Sequence, residues 1–228
     1  MAPGLDHAWD LSVADARAVQ EKLRDRVVRE DRFGGPVRRI AGVDVSYDRR
    51  SPVLFAAVVV SDAETGETLE TAGHRSLATF PYVPGYLSFR EIPPVLACFE
   101  QLSRAPDLLV CDGHGLAHPR RFGLACHLGL WLDLPSIGCA KSRLVGEHRA
   151  PGMRRGAHVG LVDAGEVIGE VVRTRDSVNP VYVSIGHRVS QATARRWVLR
   201  LARRHRLPEP SRAAHAEVNR LRRAGGVE

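Results

Sequence analysis

The stretch DLLVCDGHGLAHPRRFGLACHLGLWLDLPSIGCAK, Asp107 to Lys141, sets the fold class of this chain. Leu108-Leu109-Val110-Cys111 is a wholly apolar run that stops at Asp112-Gly113. A run this short, closed by a carboxylate and a glycine, suits a strand buried on both faces. A second apolar run, Pro135 to Ala140, ends at Lys141. Two core strands therefore bring Asp112 and Lys141 to one sheet edge, the edge at which open α/β sheets bind ligands. Gly113-His114-Gly115 permits a sharp turn and close approach to a ligand. His118-Pro119-Arg120-Arg121 adds an imidazole and two cations. An Asp-Gly pair alone is more often a plain turn; the density of ionisable groups at two strand ends favours a functional site.

Upstream, Arg39 to Tyr47 (RIAGVDVSY) is strand-like, with Asp44 interrupting Ile40, Val43 and Val45. A carboxylate inside a core strand is costly unless it meets a hydrogen-bond network, a cation or a metal. Pairing with a nearby arginine is the structural alternative. Val53 to Ser61 and Glu67 to Arg75 follow as strands around a Glu64-Thr65-Gly66 turn, which makes an antiparallel meander. In FPYVPGYLSFRE, Phe80 to Glu91, Pro81 and Pro84 bracket Tyr82 and Val83. Such a stiff loop loses little entropy on binding and in a basic protein suits an apolar wedge between stacked bases. An ordinary connection with Tyr82 packed on the core is the alternative. Glu91 is expected to open a helix, with Pro93 and Pro94 in its first turn.

Helices are expected from Ser12 to Arg29, a docking helix without chemistry, and after Ser190, with Ala194, Trp197, Val198 and Leu201 buried. Arg195, Arg196, Arg200, Arg203 and Arg204 would face outward. Leu207-Pro208-Glu209-Pro210 breaks that helix, Ser211 caps the last one, which holds His215, and Ala224 to Glu228 fray. Val159 to Val162 and Glu166 to Arg173 read as a hairpin, and Pro180 to Ile185 as another strand. Lys141 to Gly156, rich in Arg, Gly and His, is a plausible nucleic-acid contact.

The 228 residues form one expected domain, 1–228, with 44% hydrophobic content, ample for a core. No apolar run is long enough to span a bilayer, and no signal-peptide pattern opens the chain. Cys98, Cys111, Cys126 and Cys139 form no CxxC pair and read as reduced core thiols. A cytoplasmic monomer is expected. The net charge of +7 favours a polyanionic partner. Lys22 and Lys141 are the only lysines among many arginines, which makes Lys141 the more notable.

Asp44, Glu91, Asp112 and His215 are the candidate metal ligands. Carboxylate oxygens suit a hard cation such as Mg²⁺, which can activate water and stabilise a departing phosphodiester oxygen. The zinc deaminase and G-x-S-x-G signatures are absent.

The sequence resembles the endonuclease V (deoxyinosine 3′ endonuclease) family. The pieces that carry the resemblance are IAGVDVSY, PYVPGYLSFRE, VCDGHGLAHPRRFGLACHLG, PSIGCAK, YVSIGHR and LPEPSRAAH, in that order. The resemblance implies an α/β, ribonuclease H-like mixed sheet, an antiparallel meander plus parallel strands, flanked by helices. It implies that Asp44, Asp112 and Glu91 are catalytic metal-binding acids, that His215 is a fourth metal-site residue, and that Lys141 lies near the scissile phosphate. Pro81, Tyr82, Val83 and Pro84 would be the strand-separating wedge. Gly85, Leu87 and Gly113 would line a pocket for flipped hypoxanthine, with His118 nearby. The implied cofactor is Mg²⁺, with Mn²⁺ as substitute. The implied activity is DNA repair by cutting the second phosphodiester 3′ to inosine in single- or double-stranded DNA, and also in RNA, leaving 3′-hydroxyl and 5′-phosphate ends. Ser136 and Cys139 depart from the family's usual threonine and valine. The alternatives are another ribonuclease H-like nuclease acting on RNA or RNA–DNA hybrids, and a catalytically silent nucleic-acid-binding module.

Overall fold

The structure is a computed structural model that describes residues 5–47 and 51–225. Its described residues form one eight-stranded mixed sheet. β1 (Arg39–Tyr47), β2 (Val53–Asp62) and β3 (Thr68–Leu77) are the antiparallel meander, with Asp44 opposite Ala57. β4 (Leu108–Cys111) runs parallel to β1, and β5 (Ser136–Ala140) runs parallel to β4. β6 (His158–Asp163), β7 (Glu166–Val172) and β8 (Val181–His187) extend the sheet antiparallel beyond β5, giving the order β3-β2-β1-β4-β5-β8-β7-β6. This is the mixed sheet, an antiparallel meander plus parallel strands, that the resemblance implies. The β6–β7 turn places Ala164 and Gly165 at φ 50° and 81°, the backbone a tight hairpin needs.

Five helices flank the sheet among the described residues: α1 (Val13–Leu23), α2 (Leu87–Phe99), α3 (Leu124–Leu132), α4 (Gln191–Leu201) and α5 (Glu209–Ala224). Alternation along β2 sorts two of them onto opposite faces. Ala56 and Val58 pack with Ile92, Val95 and Cys98 of α2, whereas Phe55 and Ala57 pack with Val218 of α5. Ala194, Val198 and Leu201 of α4 join Leu108, Val110 and Val183 in the largest cluster, while Trp197 is half-buried. All four cysteines are buried and unpaired. Among the described residues no helix is long and apolar enough to cross a membrane.

Four helix boundaries differ from the sequence reading. α1 stops at Leu23, followed by a 3₁₀ turn at Arg24–Arg26. Beyond it, Val28 bonds to His187 Nδ1 and to the Arg188 amide instead of continuing the helix. α2 opens at Leu87 rather than Glu91, so Pro93 and Pro94 lie inside it and leave the Phe89 and Arg90 carbonyls without their helical donors. An interior proline costs about 3 kcal/mol; burial of Phe89, Ile92 and Val95, at about 1.5–3 kcal/mol each, offsets that cost. α4 ends at Leu201, short of Arg203 and Arg204, and Arg195 does not face outward freely but pairs with Glu170 at 2.5 Å. α5 begins at Glu209 with Pro208 as its cap. Ser211 therefore caps nothing and points its hydroxyl at the Val110 carbonyl, 3.4 Å away. Gly42 explains this seat: a Cβ there would stand 2.1 Å from the Pro210 carbonyl oxygen, so only glycine lets α5 rest on the β1 backbone. Of the tail expected to fray, Ala224 ends α5 and Gly225 caps it; residues 226–228 lie outside the described residues.

Candidate active site

Strand register builds the site. Val43 on β1 pairs with Cys111 on β4, so Asp44 and Asp112 fall on the next rung of two parallel neighbours. Because α2 starts early, Glu91 sits on its second turn and reaches the same place. Asp44, Glu91 and Asp112 line one small cavity with Val45, Val95 and Leu128. Crowding acids in an apolar setting disfavours their charge. Burial pushes Asp44 above the usual carboxylate range against the opposing His215 hydrogen bond, and Asp112 adds to the rise. Burial and the Asp44 carboxylate push Glu91 up to about 8, while a bond from the Tyr47 hydroxyl (3.4 Å) opposes the shift.

Two basic groups meet this cluster. Lys141, the residue after β5, ion-pairs with Asp112. His215 Nδ1 lies 2.7 Å from Asp44 Oδ2, and Asn219 Nδ2 donates to His215 Nε2 at 3.1 Å. The Nδ1 proton therefore faces Asp44. Asp44 is thus not paired to an arginine. Among the described residues, no three acid, imidazole or thiol groups stand close enough around one point to form a metal shell as they are. The donor chemistry fits a hard cation nonetheless: three carboxylates from separate elements share a cavity, burial raises two of them, and a divalent ion would relieve their mutual repulsion.

Glu91 and Asp112 also border a larger cavity of about 350 Å³. Tyr82, Pro84, Gly85, Leu87, Gly113 and His118 line it, whereas Pro81 and Val83 belong to the adjoining loop without lining it. The Gly85 backbone has φ 81°, and its carbonyl accepts three bonds: from Gln20 Nε2 (3.1 Å), His118 Nε2 (2.9 Å) and Arg120 Nη2 (2.6 Å). Arg120 also lies 4.1 Å over the Tyr86 ring. His118 Nδ1 accepts from the Arg120 amide, and burial pushes this imidazole down to about 4. His118 is therefore a neutral clamp on the cavity wall. Gln20 corrects the reading of α1 as a helix without chemistry, since its side chain holds the same carbonyl.

Pro81, Tyr82 and Pro84 project into solvent, so Tyr82 is not packed into the core. Arg90 anchors the base of their loop, donating to the Phe80 carbonyl at 2.7 Å and lying 5.0 Å over the Tyr47 ring. Tyr47 in turn sits 6.0 Å from Tyr82. Gln20, Ser88 and Arg90 are cavity-region residues that sequence reasoning missed, whereas Arg120 and the loop that holds Arg143 were already marked. Ser88 alone had a local signal, because it precedes Glu91 by three and so shares its helix face.

The endonuclease V family model matches residues 21–216 of this fold. The chain belongs to the endonuclease V family. An endonuclease V of Roseiflexus sp. (strain RS-1) is 55% identical over 216 residues, spanning 95% of this chain and 96% of the relative. The crystal structure of endonuclease V from Streptomyces avermitilis is similar at a TM-score of 0.91 and 43% identity, covering 96% of each chain. Endonuclease V of Ciona intestinalis was solved in complex with a 24mer DNA containing an inosine followed by a ribo-adenosine. It is similar at a TM-score of 0.82 and 26% identity, over 93% of this chain and 98% of that one. Endonuclease V proteins are deoxyribonucleases, so this chain is an enzyme.

Proposed function

We propose that this endonuclease V recognises inosine in DNA, and also in RNA, and cuts the second phosphodiester on its 3′ side. The cut leaves 3′-hydroxyl and 5′-phosphate ends and serves DNA repair, with Mg²⁺ as cofactor and Mn²⁺ as substitute. One observation carries this reading: Asp44, Glu91 and Asp112, from a strand interior, a helix and a strand end, share one cavity, beside a second cavity lined by the exposed Tyr82 and Pro84. The Ciona relative's complex with inosine-containing DNA supports the substrate.

Asp44, Glu91 and Asp112 would hold the ion, with His215 beside Asp44 as the fourth group. When bound, Mg²⁺ supplies Lewis acidity and a water of lowered pKa. Everything else falls to the chain's own side chains. Tyr82 and its prolines enter the base stack and hold the duplex open. The extruded nucleotide enters the 350 Å³ cavity, a step that costs a few kcal/mol and least for a weakly paired base. Gly85, Leu87 and Gly113 face it with backbone, and His118, Gln20 and Arg120 keep the Gly85 carbonyl fixed. Lys141 moves from Asp112 to the negative charge that develops on the phosphate. Glu91, pushed up to about 8, would be in its carboxylate form when it helps Asp44 and Asp112 to hold the ion.

The test is a nicking assay with a single-inosine duplex and Mg²⁺, with the cut position mapped. The expected result is one nick at the second 3′ phosphodiester, absent with EDTA and absent on undamaged DNA. Preferential cutting of an RNA–DNA hybrid without inosine would favour the other nuclease reading, and tight binding without nicking would favour a silent binding module.

A further inference from the structure

We infer that Ser88 is a specificity-determining hydrogen-bond acceptor in the nucleobase cavity, and that His127 and His7 are positioning residues that fix its polarity. The inference rests on the inosine reading above. Ser88 lies on α2 one turn before Glu91, is 3% exposed, and lines the 350 Å³ cavity. Behind it runs a file of hydrogen bonds leading away from the cavity. Ser88 Oγ is 3.0 Å from His127 Nδ1. His127 Nε2 is 2.9 Å from His7 Nε2. His7 Nδ1 is 2.8 Å from the Ala8 carbonyl oxygen.

The last contact sets the direction of the whole file. A carbonyl only accepts, so His7 Nδ1 carries a proton. Burial lowers the pKa of both imidazoles, His127 the further, so each is neutral and carries one N–H. His7 Nε2 is therefore a lone pair, and His127 Nε2–H donates to it. His127 Nδ1 is then a lone pair, and the Ser88 hydroxyl donates to it. The hydroxyl hydrogen of Ser88 is occupied on the inner side, and only its lone pairs remain for a ligand.

Packing alone does not account for His127. It is 0% exposed and sits among the rings of Trp9, Phe89 and Phe122, each about 5 Å away between centroids. A phenyl ring would fill this cage without the cost of burying two ring nitrogens. The imidazole is explained by the two bonds it relays.

The consequence is chemical. Hypoxanthine carries N1–H, a donor, where adenine carries a lone pair. An acceptor of fixed polarity gains a bond with the first and meets a lone pair with the second, and sites of this kind discriminate strongly. Ser88 is thereby matched to a six-membered purine ring with a protonated N1.

The test compares kcat/KM on strands carrying hypoxanthine with that on strands carrying nebularine, a purine whose N1 has only a lone pair. Contacts made by the exocyclic oxygen cancel when the hypoxanthine-to-nebularine ratio of a variant is divided by that of the wild type. Ser88→Ala should lower the ratio about tenfold, the worth of one hydrogen bond. Ser88→Thr, which keeps the hydroxyl, should restore it. His127→Phe and His7→Phe, which free the Ser88 hydroxyl to donate to N1, should lower the ratio without slowing cleavage of the nebularine strand, a pattern that a merely structural role would not produce. If circular dichroism shows His127→Phe unfolded, Ser88→Ala and His7→Phe decide the matter. A wild-type ratio in folded Ser88→Ala overturns the assignment. No cleavage of inosine strands by the wild type overturns the functional reading beneath it, so the two failures are distinct.

Discussion

Acidic side chains stand at both ends of this sheet, and they live differently. At the amino end of the parallel strands, Asp107 Oδ2 accepts from the Arg38 and Arg39 amides at 2.9 and 2.8 Å. Nearby, Asp31 accepts from the Ser190 amide and hydroxyl and from Thr193 Oγ1. Burial alone would push Asp31 up, but those bonds outweigh it and hold its carboxyl below the usual range. At the carboxyl end, Asp44 and Glu91 are half-buried beside one another and both are raised. The same chemistry is finished at one end and unfinished at the other. Asp31 and Asp107 hold the chain together; Asp44, Glu91 and Asp112 are available for work on something else.

Replacing acids one end at a time tests this contrast most severely. Asp44→Asn or Asp112→Asn should reduce nicking of an inosine duplex on the order of a thousandfold, the scale at which preorganised electrostatics act. Affinity by fluorescence anisotropy should stay within a few fold. Near-normal turnover would erase the distinction between the ends. Tyr82→Ala, beside the carboxyl end, should cost about tenfold on duplex inosine substrate and much less on single strands; equal losses would remove the wedge. At the amino end, Asp31→Ala should leave turnover at 25 °C intact and lower stability by about 1–2 kcal/mol, as loss of a capping carboxylate does. A folded Asp31→Ala protein without activity would contradict the division.

The smallest expected effect concerns the cavity wall. Folded His118 takes up a proton only near pH 4, whereas an unfolded imidazole does so below its ordinary 6.5. Between those values the unfolded chain binds more protons, so stability falls as pH drops from about 6.5 to about 4. His118→Asn should flatten this decline by a few degrees in Tm, on the order of 5 °C at most. An unchanged slope would mean that His118 titrates normally.

The sequence exposed the carboxyl end almost completely, because strands read by period and the residue that ends an apolar run marks where a sheet delivers its chemistry. Asp112 and Lys141 were legible on that ground, and Asp44 as a carboxylate that interrupts a core strand. The meander was legible too, since its turns are short and rich in turn formers. What stayed hidden was set by contacts distant in the chain. Gln20 reads as an ordinary helix residue until Gly85 is beside it. Pro93-Pro94 reads as a helix start until the burial of Phe89 and Ile92 carries the helix through. Ser211 reads as a cap until Gly42 admits the Pro210 backbone. His127 reads as one polar residue in an apolar helix, and only the folded chain brings Ser88 and His7 to its two nitrogens.

The seat of α5 on Gly42 has a bearing on biosynthesis. A ribosome makes the chain amino end first, so β1, α2 and β4 exist, acids included, long before the helix bearing His215 leaves the exit tunnel. A nascent chain halted at Leu207 presents Gly42 to water and leaves Asp44 without its imidazole. A helix made after all three acids is thus the one that closes their cluster, and a blade that cuts genetic material receives its edge later than its body.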